Sequence, residues 1–337
     1  MRIAVDAMGG DYAPREIVAG AYQAVQKLPT IEALILVGDE TAIKAELDKQ
    51  GPASPKISIV HCTQVVGMDE SPAVAVRRKK DSSISRSVDL VKSGEADAVF
   101  SAGNTGAAVA ASQIKLRTLE GIQRPAIATV FPSPTKPFVL LDAGATTDCT
   151  PEILAQFAVM GSIYSREILH VAEPKVGLMS IGEEDAKGNE TTKETFGRLQ
   201  RSHLNFMGNI EGHDLFEGDV DVVVCDGFVG NVVLKTSESV GHAISTWIKQ
   251  EFTRNPFRII GTLFLRGALR ALKRKINPEA YGGAPLLGVN GVVSIGHGSS
   301  SAFAVFNGIR SVCESVDHHI NHLIVDEIKK LGAAGDE

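Results

Sequence analysis

Short, β-branched, mostly apolar runs recur along this chain at residues 3–5, 34–37, 57–60, 98–100, 127–130, 139–141, 176–179, 222–224 and 292–295, with helix-period segments between them. Such near-continuous apolar runs read as strands buried on both faces, and the intervening helices must cover those faces. The pattern therefore predicts an α/β fold, three-layer α/β/α with a mostly parallel sheet. With 337 residues, 44% hydrophobic and 22% charged, the chain is long enough to bury a large core as one α/β unit or as two lobes. The nearest thing to a boundary is the Pro-rich turn at 131–137. Helix starts are ordinary: Thr150 is a predicted N-cap with Pro151 at the first helical position, where its missing N–H costs nothing.

Open parallel sheets bind ligands at the carboxyl ends of their strands, so the residues just after each run carry the functional argument. Those residues are Asp6, Gly9, Gly10 and Asp11; Ser101, Gly103, Asn104, Thr105 and Gly106; Asp142, Gly144, Thr146 and Thr147. Further on they are Gly182, Lys187, Gly188 and Asn189; Asp226, Gly227, Gly230 and Asn231; Gly296, His297, Gly298 and Ser299. Glycine lets backbone amides approach a ligand closely, and the helix that follows each turn favours negative charge at its start. Any one such turn is explained by a tight strand-to-helix connection. Six on one rim predict a backbone-lined site for phosphate.

Several enzyme classes lack their signature here. The first turn does not read GxGxxG, which disfavours a nicotinamide enzyme of the dinucleotide-binding type, and neither a Walker lysine motif nor GxSxG occurs. Acyl transfer to phosphate needs none of these, because a phosphate oxygen can attack a thioester directly. The protein must hold phosphate, orient the carbonyl and stabilise the developing oxyanion. Lys187 is the candidate for offsetting charge, against the alternative of a solvated loop lysine. Asn231 is a candidate donor to either oxygen or simply part of a helix start, and His297 a candidate proton donor or a structural turn histidine. No cofactor is called for. His318, His319 and His322 sit at a helix end without a third ligand at suitable spacing, so no metal is expected.

The formal charge of −6 argues against a general nucleic-acid binder, but it hides a local patch. Arg254, Arg258, Arg266, Arg270, Lys273, Arg274 and Lys275 lie in a stretch with no acidic residue from 252 to 277. Leu263, Phe264 and other large apolar residues are interleaved with them, and Pro256 breaks the segment into two helices. The expectation is a protruding amphipathic hairpin over residues 232–276, suited to an anionic membrane surface or an acidic partner. A second basic run, Arg77 to Lys80, faces either substrate phosphate or solvent. No apolar stretch reaches the ~20 residues of a spanning helix, and no basic segment precedes the first apolar run, which predicts a cytoplasmic protein. The four cysteines, Cys62, Cys149, Cys225 and Cys313, are too scattered for a disulfide framework and read as small buried hydrophobes.

The segments DAMGGDYAP from Asp6, SPAVAVRRKKDSS from Ser71, SAGNTGA from Ser101 and IGEEDAKGNETTKE from Ile181 resemble the bacterial acyl-carrier-protein:phosphate acyltransferases of phospholipid synthesis. So do VDVVVCDGFVGNVVLKT from Val220, YGGAPLLGVNGVV from Tyr281 and GHGSS from Gly296, so the resemblance runs through nearly the whole chain. One departure stands out: where the family usually reads GAN after the DxGA turn, this chain has Ala145, Thr146 and Thr147. The resemblance implies transfer of a long fatty acyl group from acyl carrier protein to inorganic phosphate. It also implies a homodimer, peripheral attachment to the inner face of the cell membrane, and a fold similar to phosphotransacetylases and isopropylmalate dehydrogenases. By similarity Lys187 and Asn231 stand nearest the reacting carbonyl, with Asn104, Thr105 and His297 around phosphate and pantetheine. A phosphotransacetylase acting on a short acyl-CoA, or a non-catalytic membrane scaffold, are the alternatives.

Overall fold

The computed structural model describes residues 1–333. Its first strands are β1 (Arg2–Asp6), β2 (Ala33–Gly38), β3 (Ile57–His61), β4 (Ala98–Ser101) and β5 (Ala126–Ile127), followed by β6 (Thr129–Phe131), β7 (Phe138–Leu141), β8 (Val176–Met179), β9 (Phe206–Ile210) and β10 (Val222–Val224). The chain closes with β11 (Ala284–Leu287) and β12 (Val292–Ile295). They form two sheets. The seven-stranded one runs β3-β2-β1-β4-β12-β11-β5 and the five-stranded one β6-β7-β10-β8-β9. Both are mostly parallel; β11 and β6 supply the antiparallel pairings.

The apolar run at 127–130 predicts one strand, but the structure divides it between the sheets. Ile127 pairs with Leu286 in the first sheet and Thr129 with Leu140 in the second, while the intervening Ala128 amide donates to the Pro285 carbonyl at 2.9 Å. Two strands had no apolar run to announce them. In β9 the sequence FMGNI carries Gly208 at a φ of +108°, and β11 carries Pro285, both of which read as turns without their neighbours.

Helices flank each sheet on both faces. On one face of the first lie α1 (Arg15–Lys27), α2 (Glu40–Leu47) and α11 (Ala302–Asp317); on the other lie α3 (Pro72–Arg78), α4 (Ser83–Lys92) and α5 (Thr105–Lys115). The second sheet is covered by α6 (Pro151–Ile168), α7 (Glu190–Gln200) and α12 (Ile320–Ala333) on one face. Its other face meets the short α8 (Asp214–Glu217) and the start of α9 (Gly227–Thr253). Helix α6 forms as its sequence predicts: Pro151 opens it and Thr150 Oγ1 accepts from the Ile153 amide at 3.4 Å. Phe157, Ala158, Val159 and Met160 of this helix have no exposed surface, each large apolar side chain contributing about 1.5–3 kcal/mol by leaving water.

Helix α9 continues away from this core and turns back through α10 (Pro256–Lys275). Pro256 opens α10 and Asn255 Oδ1 accepts from the Arg258 amide at 3.0 Å. Among the described side chains between residues 231 and 276, none is buried.

Candidate active site

One half of the site forms where β1, β4 and β12 end. Asp6 is buried: its Oδ2 accepts from Ser101 Oγ at 2.7 Å and its Oδ1 from the Met8 amide at 3.3 Å. Burial pushes this carboxyl above its ordinary value, against hydrogen bonds from Ser83, Ser101 and the turn amides. The Asp6 carboxylate therefore ties two loops together and faces protein donors. Those loops meet backbone to backbone. A Cβ on Gly9 would lie 2.6 Å from Asp6 Oδ2 and 2.7 Å from the Gly103 nitrogen, so only glycine fits. Gly10 has a φ of +114°, and the next amide, Asp11, donates to the Gly298 carbonyl at 2.8 Å, which brings the β12 turn onto the β1 turn.

Asn104 is the N-cap of α5. Its Oδ1 accepts from the Ala107 amide at 3.0 Å, and its Nδ2 is shared by the carbonyls of Gly67, Met68 and Glu70 at 3.1, 3.0 and 3.2 Å. This side chain is spent on holding the 67–70 loop. The amides of Thr105 and Gly106 open the helix and have no acceptor within it, so the rim's donors are backbone groups. His297 is exposed, and its Nδ1 accepts from the Ser299 amide at 3.2 Å while lying 2.8 Å from Ser299 Oγ. An amide donating to Nδ1 places the neutral ring's proton on Nε2, which points a donor outward.

The other half forms where β7, β8 and β10 end. Asp142, fully buried, accepts from four amides: Ile127 at 2.8 Å, Gly144 at 3.1 Å, Ala145 at 3.0 Å and Thr146 at 2.6 Å. Its carboxyl too is pushed up by burial, with those four bonds opposing. The sequence places this residue on the rim but gives it no role, although Asp6, Asp142 and Asp226 share one pattern, an aspartate at a strand's end with glycine shortly after. Thr146, at the departure from the family pattern, donates from Oγ1 to the Pro125 carbonyl at 3.0 Å and is nearly buried. Its hydroxyl belongs to the turn's scaffold.

Asp226 caps α9, its Oδ1 accepting from the Val229 amide at 2.8 Å, and the Gly227 amide donates to the Thr146 carbonyl at 2.8 Å. A Cβ on Gly230 would come within 1.9 Å of the Asp142 carbonyl oxygen, so α9 lies against the turn. That contact sets Asn231, which is exposed, over Gly144. In the β8 loop, Lys187 is half exposed, with Glu184 Oε1 4.0 Å from its Nζ. Asn189 caps α7 by accepting from the Thr192 amide at 2.8 Å and the Thr192 hydroxyl at 2.9 Å.

Ala143, Ala145 and Leu234 pack in one apolar cluster with Ala107, Ala111 and Ile295, which joins the two halves of the site. Among the described residues, no hydrogen bond or ion pair links Lys187, Asn231 and His297 to one another. The structure thus brings together the turns 6–11, 101–106 and 296–299 on one side and 142–147 and 226–231 on the other. It commits the side chains of Asp6, Asn104, Asn189 and Asp226 to protein partners. A cavity of about 460 Å³ lies elsewhere, between the far ends of α6 and α11. Among the described residues, one trio brings possible metal ligands close together: Glu183, His213 and Asp214, which are also explained by ion pairing, with His213 Nε2 3.4 Å from Asp214 Oδ1.

The hairpin presents a different surface. Phe257 and Phe264 are each 87% exposed, Leu263 64% and Trp247 63%. Arg254 and Arg258 both pair with Glu251, whereas Arg266, Arg270 and Arg274 are exposed without an ion-pair partner among the described residues. The Lys273 side chain lies outside the described residues. Among the described residues, no helix is long and apolar enough to cross a membrane.

The two mostly parallel sheets with their flanking helices form a fold shared with solved phosphotransacylases. A phosphotransacetylase from Streptococcus pyogenes superposes with a TM-score of 0.63 at 18% identity, covering 94% of each chain. A branched-chain phosphotransacylase from Enterococcus faecalis V583 gives 0.59 at 16%, covering 95% of this chain and 100% of that one. At such identities the likeness is one of fold. The family described as "Fatty acid synthesis protein" matches residues 1–323. A phosphate acyltransferase from Pelotomaculum thermopropionicum is 50% identical over 339 residues, covering 100% of this chain and 98% of that protein. Another from Desulfitobacterium hafniense is 51% identical over 335 residues, covering 99% of each. The chain belongs to the phosphate acyltransferase family and is an acyltransferase.

Proposed function

We propose that this acyltransferase moves a long-chain fatty acyl group from acyl carrier protein to inorganic phosphate, giving acyl phosphate for phospholipid synthesis. The observation that carries the reading is the rim itself: two buried carboxylates, Asp6 and Asp142, organise turns whose backbones lie against each other, beside the opening amides of α5 and α9. Such amides at a helix start favour a bound oxyanion.

The chemistry then needs few groups. A phosphate oxygen attacks the thioester carbonyl, the C–S bond breaks, and the carrier leaves as a thiolate that takes up a proton. Lys187 offsets negative charge on phosphate or oxyanion, Asn231 donates to the carbonyl oxygen from above Gly144, and His297 supplies a donor through Nε2. Asp11, Gly106, Asn189, Gly227 and Ser299 shape the pocket through their backbones or caps. The hairpin serves attachment. Phe257, Leu263 and Phe264 enter an anionic membrane surface with Arg266, Arg270 and Arg274 at its phosphates, and a second copy of the chain covers part of the exposed face of α9.

Offering palmitoyl carrier protein and acetyl-CoA in separate reactions with phosphate tests the donor. The long-chain carrier should lose its acyl group at least 100-fold faster. Faster consumption of acetyl-CoA would make the protein a short-chain phosphotransacetylase instead.

A further inference from the structure

The basic run near the site has a geometry that the reaction itself leaves unexplained. Helices α3 and α5 both begin at the rim, where Pro72 abuts Gly106, and both run outward. Between their far ends and α4 lies a groove of about 300 Å³ lined by the buried Val76, the half-exposed Ile114, and Arg77, Lys80, Lys115 and Asp89. Lys115 Nζ is held by Asp89 Oδ2 at 2.7 Å and by the Ser85 carbonyl at 3.0 Å, which neutralises that pair. Arg77 and Lys80 are exposed and have no ion-pair partner among the described residues, as does Arg78 beside them. A concave, cationic groove with apolar side chains in its lining fits one acidic helix. It does not fit a bilayer, which favours projecting apolar side chains of the kind the hairpin carries.

The distance is also informative. At 1.5 Å per residue, α5 carries the groove about 15 Å from Thr105. A phosphopantetheine arm has roughly thirteen bonds between its phosphorus and its sulfur, and at the ~1.2 Å advance per bond of an extended chain it reaches about 15 Å. We infer that an acidic carrier protein docks its helix in the groove bounded by α3, α4 and α5, against Arg77, Arg78 and Lys80, and that its arm follows α3 and α5 to the rim. This rests on the proposed acyl transfer and names the docking place for its donor, away from the hairpin.

The test uses the full chain and the double variant Arg77→Glu/Lys80→Glu, with Arg266→Glu/Arg270→Glu as the control and circular dichroism to confirm folding. Binding of fluorescent acyl carrier protein is titrated first, followed by KM for palmitoyl carrier protein and for palmitoyl-pantetheine, the same thioester without the protein. The groove variant should weaken carrier binding and raise the carrier KM at least 10-fold while leaving palmitoyl-pantetheine turnover unchanged; the hairpin variant should do neither. If the charge reversal prevents folding, Arg77→Ala/Lys80→Ala should give the same pattern at about 5-fold. Unchanged carrier binding in the groove variant overturns the inference, as does loss of binding to anionic vesicles in its place. Failure of the wild type to consume either thioester would contradict the proposed transfer alone, since the binding titration judges the groove independently.

Discussion

At the scale of single residues, the candidate site is a set of backbone groups whose turns are held by the buried acids Asp6 and Asp142, with exposed side chains such as Asn231 and His297 beside them. Lys187 is half exposed, with its stem beside Gly182 and Glu184 its one ion-pair partner among the described residues, so Lys187→Ala should leave the melting temperature nearly unchanged while lowering kcat roughly 100-fold, the usual cost of losing one stabilising donor. A near-normal rate would remove Lys187 from the chemistry. Gly230→Ala should act the other way, because its Cβ would fall inside the Asp142 carbonyl oxygen; stability should drop by about 3 kcal/mol or more, read from denaturant unfolding. The cysteine thiols carry a further expectation. Burial pushes Cys62 and Cys313 up to about 11 and Cys149 to about 12, and raises Cys225 well above the ordinary thiol value. Each should alkylate far more slowly at pH 8 than a free thiol, as followed by mass spectrometry on the native protein. Sequence named most of the rim's residues but not their duties. Strand-end position picked out Asp6 and Asn104 as candidates; only the folded structure shows their oxygens and amide committed to Ser101, Ala107 and the 67–70 loop. Asp142 was placed on the rim but not given its duty, because accepting four amides is a property of turn geometry, invisible in residue type.

At the scale of elements, the strands and caps were legible wherever local chemistry decides them. Thr150 with Pro151 and the break at Pro256 are set by the missing proline N–H and by short-range capping. The β9 and β11 strands were not, since a glycine with positive φ and a proline are tolerated only because neighbouring strands supply the pairing. The hairpin was readable from its charge asymmetry, and its exposure follows: Val233 and Leu234 pack on the core at its base, but beyond them no described side chain up to residue 276 is buried, so the rest of these helices draws little stability from the core. Phe257→Ser/Phe264→Ser should therefore leave unfolding nearly unchanged while reducing co-sedimentation with anionic vesicles at least 5-fold. Equal sedimentation would show that the apolar tip meets something other than lipid.

At the scale of the molecule, two sheets share one rim, and the chain passes between them at Ala128. That division was not legible, because a continuous apolar run reads as one strand whichever sheet its two ends join. At the opposite edge of the second sheet, Lys136 and Lys175 clasp Asp219 at 2.6 and 2.5 Å and hold its carboxyl down to about 2 from an ordinary 3.8. A lowered carboxyl stabilises the fold above its unfolded value and loses that contribution as pH falls through its folded one. Acid unfolding of the wild type should thus steepen between about 3.8 and about 2, and Asp219→Asn should flatten that limb when followed by circular dichroism. In the proposed transfer, phosphate cradled by the rim's amides attacks the bound thioester without an acyl-enzyme intermediate. Rapid mixing of the protein with palmitoyl carrier protein, with and without phosphate, tests this through the carrier thiol released. With phosphate, one thiol should appear for each acyl phosphate formed, and without it there should be no burst. A stoichiometric burst of thiol in the absence of phosphate, with the acyl group left on the protein, would contradict it.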